Sequence, residues 1–86
     1  MEQTIEVLER CCRIIEINQS EHILDSNVKA YYTESSGNKL YKLGDDYAFF
    51  FEGSIPSIYL FGMIFRDKDL YTLNKMCINH LKNISK

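Results

Sequence analysis

The chain has no tryptophan, a single proline, and no apolar run longer than the eight residues from Ile58 to Phe65, which Gly62 interrupts. Such a run is far short of the roughly 20 residues a helix needs to cross a bilayer, so a transmembrane reading is dropped. The opening stretch MEQTIEVLERCCRIIEI carries acids where a secretory signal has basic residues, and it lacks the long apolar segment, so nothing directs export. Cysteine is scarce and odd in number. Cys11, Cys12 and Cys77 do not form the even, spaced framework of a secreted disulfide scaffold, and reduced thiols in a cytoplasm are expected. The four glycines, at 37, 44, 53 and 62, are too scattered for a GxxxxGK[ST] or GxGxxG phosphate loop. A basic excess is also missing: the net charge of -2 argues against a general polyanion binder. Abundant Asn, Ile and Lys beside absent Trp suggest an A/T-rich coding genome, as in many bacteria and phages.

What is present is apolar and aromatic. Hydrophobic residues make up 45% of the chain and aromatics 13%, which is the composition of a globular protein. At 86 residues only one core can be filled, so residues 1–86 are read as a single α+β domain. A chain this short hides only about 60 to 65% of its unfolded surface, so dense apolar packing or a partner must supply stability. Charge is uneven: residues 1–25 hold six acids against two bases, and residues 26–86 hold six acids against eight bases.

Ile5, Leu8, Cys12 and Ile15, flanked by Val7, Cys11 and Ile14, recur at helical spacing, which predicts an amphipathic N-terminal helix ending near Asn18-Gln19-Ser20. Thr4 is a late N-cap candidate, although a start at residue 2 or 3 fits better. Glu21 to Asp25 reads equally as a helical turn or a strand lead-in, followed by the turn-like Asp25-Ser26-Asn27. Val28 to Glu34, Lys39 to Leu43 and Tyr47 to Glu52 read as three strands of a meander, with Ser35-Ser36-Gly37-Asn38 and Gly44-Asp45-Asp46 as the connecting turns. After the loop around Pro56, Ile58 to Arg66 reads as a fourth strand. It is preferred over the start of a long helix because Gly62 would cost a helix interior about 1 kcal/mol. Asp67 is the expected N-cap of a second helix running to about Asn83, with the stripe Leu70, Leu73, Cys77, Leu81 and Ile84. The expected fold is thus α-β-β-β-β-α, an antiparallel sheet of three to four strands flanked by an N-terminal and a C-terminal helix.

The last two strands are apolar on both faces, unlike a sheet wetted on one side. If both helices cover one face, alternation leaves Phe50, Tyr59, Phe61 and Phe65 as a self-association patch and a homodimer as an expectation. Burying three or four of these rings would contribute on the order of 5 to 8 kcal/mol of gross hydrophobic free energy. The competing reading places one helix on each face, or curls the sheet to bury both sides. A polar-aromatic set around the strand turns, Tyr31, Tyr41, Asp45, Asp46, Tyr47 and Glu52, is the candidate contact surface for another protein. Tyr31 and Tyr32, being adjacent in a strand, are expected on opposite faces.

No catalytic constellation is legible. His22 and His80 are the general-base candidates of the usual kind, and neither lies in a known nucleophile context, so no enzymatic activity and no cofactor are expected. Cys77 and His80 share a helical face that Cys11 or Cys12 could approach. The spacing lacks the paired close ligands of structural zinc, so buried thiols are the reading and no metal is assigned. Asp45-Asp46 and Asp67/Asp69 are explained by a turn and a helix start. A cavity of about 300 Å³ or more, the size a ligand needs, is not expected in so small a core. Lys68, Lys75, Lys82 and Lys86 make the last helix basic, and the helix-sheet-helix order resembles in layout alone that of double-stranded RNA-binding domains. Nucleic acid is therefore the second expectation. The first is a small cytoplasmic factor that binds and occludes another protein, in the manner of an inhibitor, an immunity or antitoxin protein, or a phage-encoded modulator.

Overall fold

The computed structural model describes residues 1–18 and 28–85; His22, the ambiguous stretch from Glu21 to Asp25 and the turn Asp25-Ser26-Asn27 lie outside the described residues. Helix α1 (Glu2–Asn18) precedes strands β1 (Lys29–Thr33), β2 (Lys39–Lys42), β3 (Ala48–Glu52), β4 (Ser57–Leu60) and β5 (Met63–Arg66), and helix α2 (Leu70–Ile84) closes the order. All strand pairs are antiparallel, and the sheet runs β1-β2-β3-β4-β5, a meander between two flanking helices.

The sheet has one strand more than the sequence reading allowed. Phe61 and Gly62 both take left-handed backbone conformations, with φ of 47° and 93°, and make a two-residue turn whose twist matches the paired strands. The expected strand from Ile58 to Arg66 is therefore a hairpin, with Leu60 opposite Met63 and Ile58 opposite Phe65. Glycine adopts this conformation without a Cβ penalty, whereas Phe61 is there against its preference.

Both helices cover the same face of the sheet. Ala48 and Phe50 of β3 and Ile58 and Leu60 of β4 point inward and join one buried cluster with Val7, Leu8, Cys11 and Cys12 of α1 and Leu70, Leu73, Cys77, Ile78 and Leu81 of α2. Of the stripes read from the sequence, Val7, Leu8, Cys11, Cys12, Leu70, Leu73, Cys77 and Leu81 are buried, Ile5, Ile14 and Ile15 are half-buried, and Ile84 at the end of α2 stays 47% exposed. Phe65 and Tyr41 pack against this cluster from the neighbouring strands.

The first turn of α1 is fastened to the β2–β3 turn. Asp45 Oδ2 accepts the Thr4 backbone N–H at 3.1 Å and the Thr4 hydroxyl at 2.6 Å, so a carboxylate 41 residues away serves as the cap. The helix starts at Glu2, as the preferred reading has it, and Thr4, the later cap candidate, is fully buried within the first turns and donates to Asp45. Gly44 makes this approach possible: its φ is +87°, and a Cβ there would lie 3.1 Å from the Gln3 carbonyl carbon. Helix α2 is capped by Asp69, not Asp67. Asp69 Oδ2 accepts the Thr72 N–H at 3.0 Å and also the Thr72 hydroxyl, while Asp67 accepts the Asp69 N–H at 2.8 Å in the turn before it. The cap moves two residues because Asp67 is used to shape that turn.

Among the described residues, three polar side chains are buried. Thr4 bonds to Asp45, and the Ser57 hydroxyl donates to the Ile55 carbonyl at 3.3 Å. Asn74, fully buried on α2, has no hydrogen-bond partner among the described residues for either its Nδ2 or its Oδ1. An unpaired buried amide costs about 1 to 3 kcal/mol. Asn74→Leu is therefore expected to raise the urea midpoint at unchanged m-value, a gain of about 1 to 3 kcal/mol; an unchanged or lowered midpoint would show that the amide is satisfied in solution.

The two caps also set an acid response. Burial opposes ionisation of Asp45, but the hydrogen bonds from Thr4 and the nearby Met1 amine outweigh it and hold the carboxyl below its ordinary value of 3.8. The bonds from Thr72 lower Asp69 in the same direction. A carboxylate with a depressed folded-state pKa stabilises the fold above its unfolded pKa and loses that contribution as pH falls through the folded one. Asp45→Asn should thus cost about 1 kcal/mol at pH 7, in the range of a lost N-cap, with the difference from the parent shrinking as pH falls below 3.8. Urea midpoints across that range are the measurement.

Candidate functional site

The face of the sheet away from the helices carries two rows of side chains, set by register. One row runs Lys29, Lys42, Phe49, Tyr59, Ile64, and the other Tyr32, Leu40, Phe51, Ser57, Arg66. The apolar members of this outer face come chiefly from the strands read as apolar on both sides, and no helix among the described residues covers them. The apolar patch on this face is therefore half-buried Phe49, Phe51, Tyr59 and Leu40 together with the exposed Ile64, Tyr31 and Tyr32.

This corrects the expected patch. Phe50 is only 5% exposed and lies in the core, and Phe65 packs against the core with its ring 5.1 Å from that of His80. Phe61 sits in the β4–β5 turn rather than on a face. Of the four residues assigned to self-association, only Tyr59 is on the outer face. The alternation was read with the right period but the wrong phase in β3, and the unrecognised turn at Phe61-Gly62 shifted the phase again in β5.

Strand β1 holds a second correction. The pairing shifts between Ala30 and Tyr32, a β-bulge at Tyr31. One extra residue cancels the alternation, so both tyrosines reach the same face. Tyr31 meets Phe49 in a tilted ring contact, centroids 5.4 Å apart, and Tyr32 lines a hollow with Glu34, Leu40, Phe49, Phe51 and Tyr59. They are 65% and 60% exposed. This hollow has a volume of about 400 Å³, is almost wholly apolar, and lies on the outer face rather than within the core. A ligand-sized space was not expected in so small a core; it forms on the sheet surface, where no described side chain fills the gaps between the rings.

A second, more polar hollow of about 230 Å³ adjoins it, sharing Phe51 and Tyr59 and bounded by Ser54, Ile55 and Arg66. The Phe51 ring forms the wall between the two. A Cβ at Gly53 would come within 2.7 Å of Phe51 Cε2, so the glycine admits the ring in this position.

The polar-aromatic residues expected to contact a partner do not form one surface. Tyr31 is on the outer face. Tyr41 packs towards the core, its ring 5.9 Å from that of Phe50, and its hydroxyl donates to Glu52 at 3.0 Å. Burial, then the Glu52 carboxylate, push the Tyr41 phenol above its usual value. Asp45 is occupied by the first turn of α1, while Asp46, 81% exposed, pairs with Lys42 at 2.7 Å. Tyr47 is exposed in the β2–β3 turn. On the basic helix, Lys75 lies over the Tyr71 ring at 5.4 Å and Lys82 is 3.9 Å from Glu9 of α1, so two of its cations are turned to neighbours within the fold.

Tyr32, Leu40, Phe49, Phe51 and Ile64 are the apolar and aromatic residues of this face that the sequence reading left unassigned, and Arg66 is a charged one. Phe49 and Phe51 were visible as one of the two alternating sets of β3; which set faces inward was not.

The three cysteines are buried, and none is in a disulfide. Among the described residues no three His, Cys, Asp or Glu side chains group as metal ligands, and His80 is turned to Phe65. Burial raises the Cys77 thiol to about 12 and also raises Cys12. Since the thiolate is the nucleophile, Cys77 is expected to resist a disulfide-exchange reagent at pH 8, reacting only as fast as the protein opens. Rapid labelling of Cys77 in the native protein, read by peptide mass spectrometry, would contradict its placement.

No helix among the described residues is long and apolar enough to cross a membrane. Comparison of the chain with protein families, with curated proteins and with solved structures finds no match.

Proposed function

We propose that this is a small cytoplasmic protein-binding factor, without catalytic activity, that occludes a partner protein through the outer face of its sheet, in the manner of an inhibitor, an immunity or antitoxin protein, or a phage-encoded modulator. The observation that carries the reading is the uncovered set Tyr31, Tyr32, Phe49, Phe51 and Tyr59 with an apolar hollow of about 400 Å³ among them. Aromatic side chains recessed in a concave apolar site are the usual anchors of protein recognition.

Concavity favours a segment of another protein over a second copy: a protruding segment entering the hollow gains depth that two facing sheets would not.

Photo-crosslinking side chains introduced at Tyr32 or Tyr59, and as controls at Glu6 of α1 and Lys68 before α2, would locate the contact in the cells that make the protein. A discrete protein adduct from the sheet positions alone, lost on Phe51→Ser in a variant that retains its circular dichroism, is expected. Adducts to nucleic acid, to a second copy of the chain, or equally from the helix positions would overturn the proposal.

A further inference from the structure

The two adjoining hollows differ in chemistry, and that difference specifies the occupant more closely. The larger is apolar; the smaller mixes Ser54, Ser57 and Arg66 with Phe51, Ile55 and Tyr59, and among the described residues Arg66 is the only charged one that lines it. Among the described residues no carboxylate pairs with Arg66, whereas Lys42 on the same face is held by Asp46 at 2.7 Å. We infer that the outer face recognises an extended partner segment presenting an apolar side chain to the Phe49/Phe51/Tyr59 hollow and a carboxylate, a few residues further on, to Arg66. This rests on the protein-binding reading above and adds the sequence character of the partner.

Geometry sets the spacing. The row Tyr32, Leu40, Phe51, Ser57, Arg66 crosses all five strands, and neighbouring strands are about 4.8 Å apart. The face is thus roughly 19 Å wide along this row, enough for about six extended residues, and Arg66 lies about 10 Å from Phe51 in the backbone plane. An acid about two to four residues from the apolar anchor reaches it. A guanidinium suits a carboxylate, which it grips with two parallel N–H donors.

Nucleic acid fits less well, although stacked rings on an open sheet also suit unstacked bases. A strand of phosphates needs a track of cations, yet this face sets Glu34 on the rim of the larger hollow and Asp46 on Lys42, leaving Lys29 and Arg66 at opposite edges.

The test is selection of a random peptide display library on the intact chain, followed by affinity measurements with the enriched peptides. The expected consensus pairs an aromatic or branched apolar residue with Asp or Glu two to four positions away. Arg66→Gln, or the acid-to-amide change in the peptide, should each weaken binding about tenfold or more, and the two together little further, while Lys29→Gln changes little. Peptides that need Phe51 but are indifferent to Arg66→Gln would overturn this inference and leave the protein-binding proposal standing. Failure to enrich any Phe51-dependent peptide would overturn both. Steeply salt-dependent binding of labelled oligothymidylate would replace them with single-strand recognition, and a dimer in sedimentation that masks Tyr32 would replace them with self-association.

Discussion

The packing of alternate residues of β3 and β4 against two helices on one side governs the rest of this structure. Once Ala48, Phe50, Ile58 and Leu60 meet Leu73, Cys77 and Leu81, the residues between them have no choice of direction. In most sheets of this kind those intervening positions are polar. Here they are Phe49, Phe51 and Tyr59, and the chain holds no third helix among its described residues to lie over them. The cost of leaving such rings in water is what an incoming partner would recover.

The helices depend on this arrangement in different ways. Helix α2 lies directly against β4 and β5, whereas α1 packs chiefly on α2 and is tied to the sheet at its first turn through Asp45. The tie needs Gly44, because any side chain there would meet the backbone of Gln3. On the helix side, Asn74 is buried without a hydrogen-bond partner among the described residues, a local cost that a leucine would remove.

Much of this was legible in the sequence. Helical spacing gave both amphipathic stripes, and the β-prone runs between Gly- and Asp-containing turns gave the meander. What could not be read has identifiable physical causes. Alternation in β3 shows that two sets of residues face opposite ways, but when both sets are apolar nothing local says which is covered, so Phe50 and Phe49 were exchanged. The Phe61-Gly62 turn lacks the Asn-Gly or Asp-Gly pair that marks two-residue hairpins, so two short strands read as one. The cap from Asp45 to Thr4 spans 41 residues, beyond any sequence-local rule, and Asp67 and Asp69 are equivalent as cap candidates until the turn between them is known. A bulge leaves almost no trace in a five-residue strand, so the two tyrosines of β1 were assigned to opposite faces.

That bulge has an effect beyond doubling the tyrosines on one face. Strand β1 is an edge of the sheet, and a regular edge offers a ladder of unpaired N–H and C=O groups on which a strand from another molecule can continue the sheet. The extra residue at Tyr31 breaks the spacing of that ladder and increases the local twist, so an added strand finds donors and acceptors out of step after two residues. The same insertion thus brings a second tyrosine onto the outer face and withholds a regular backbone edge from an added strand.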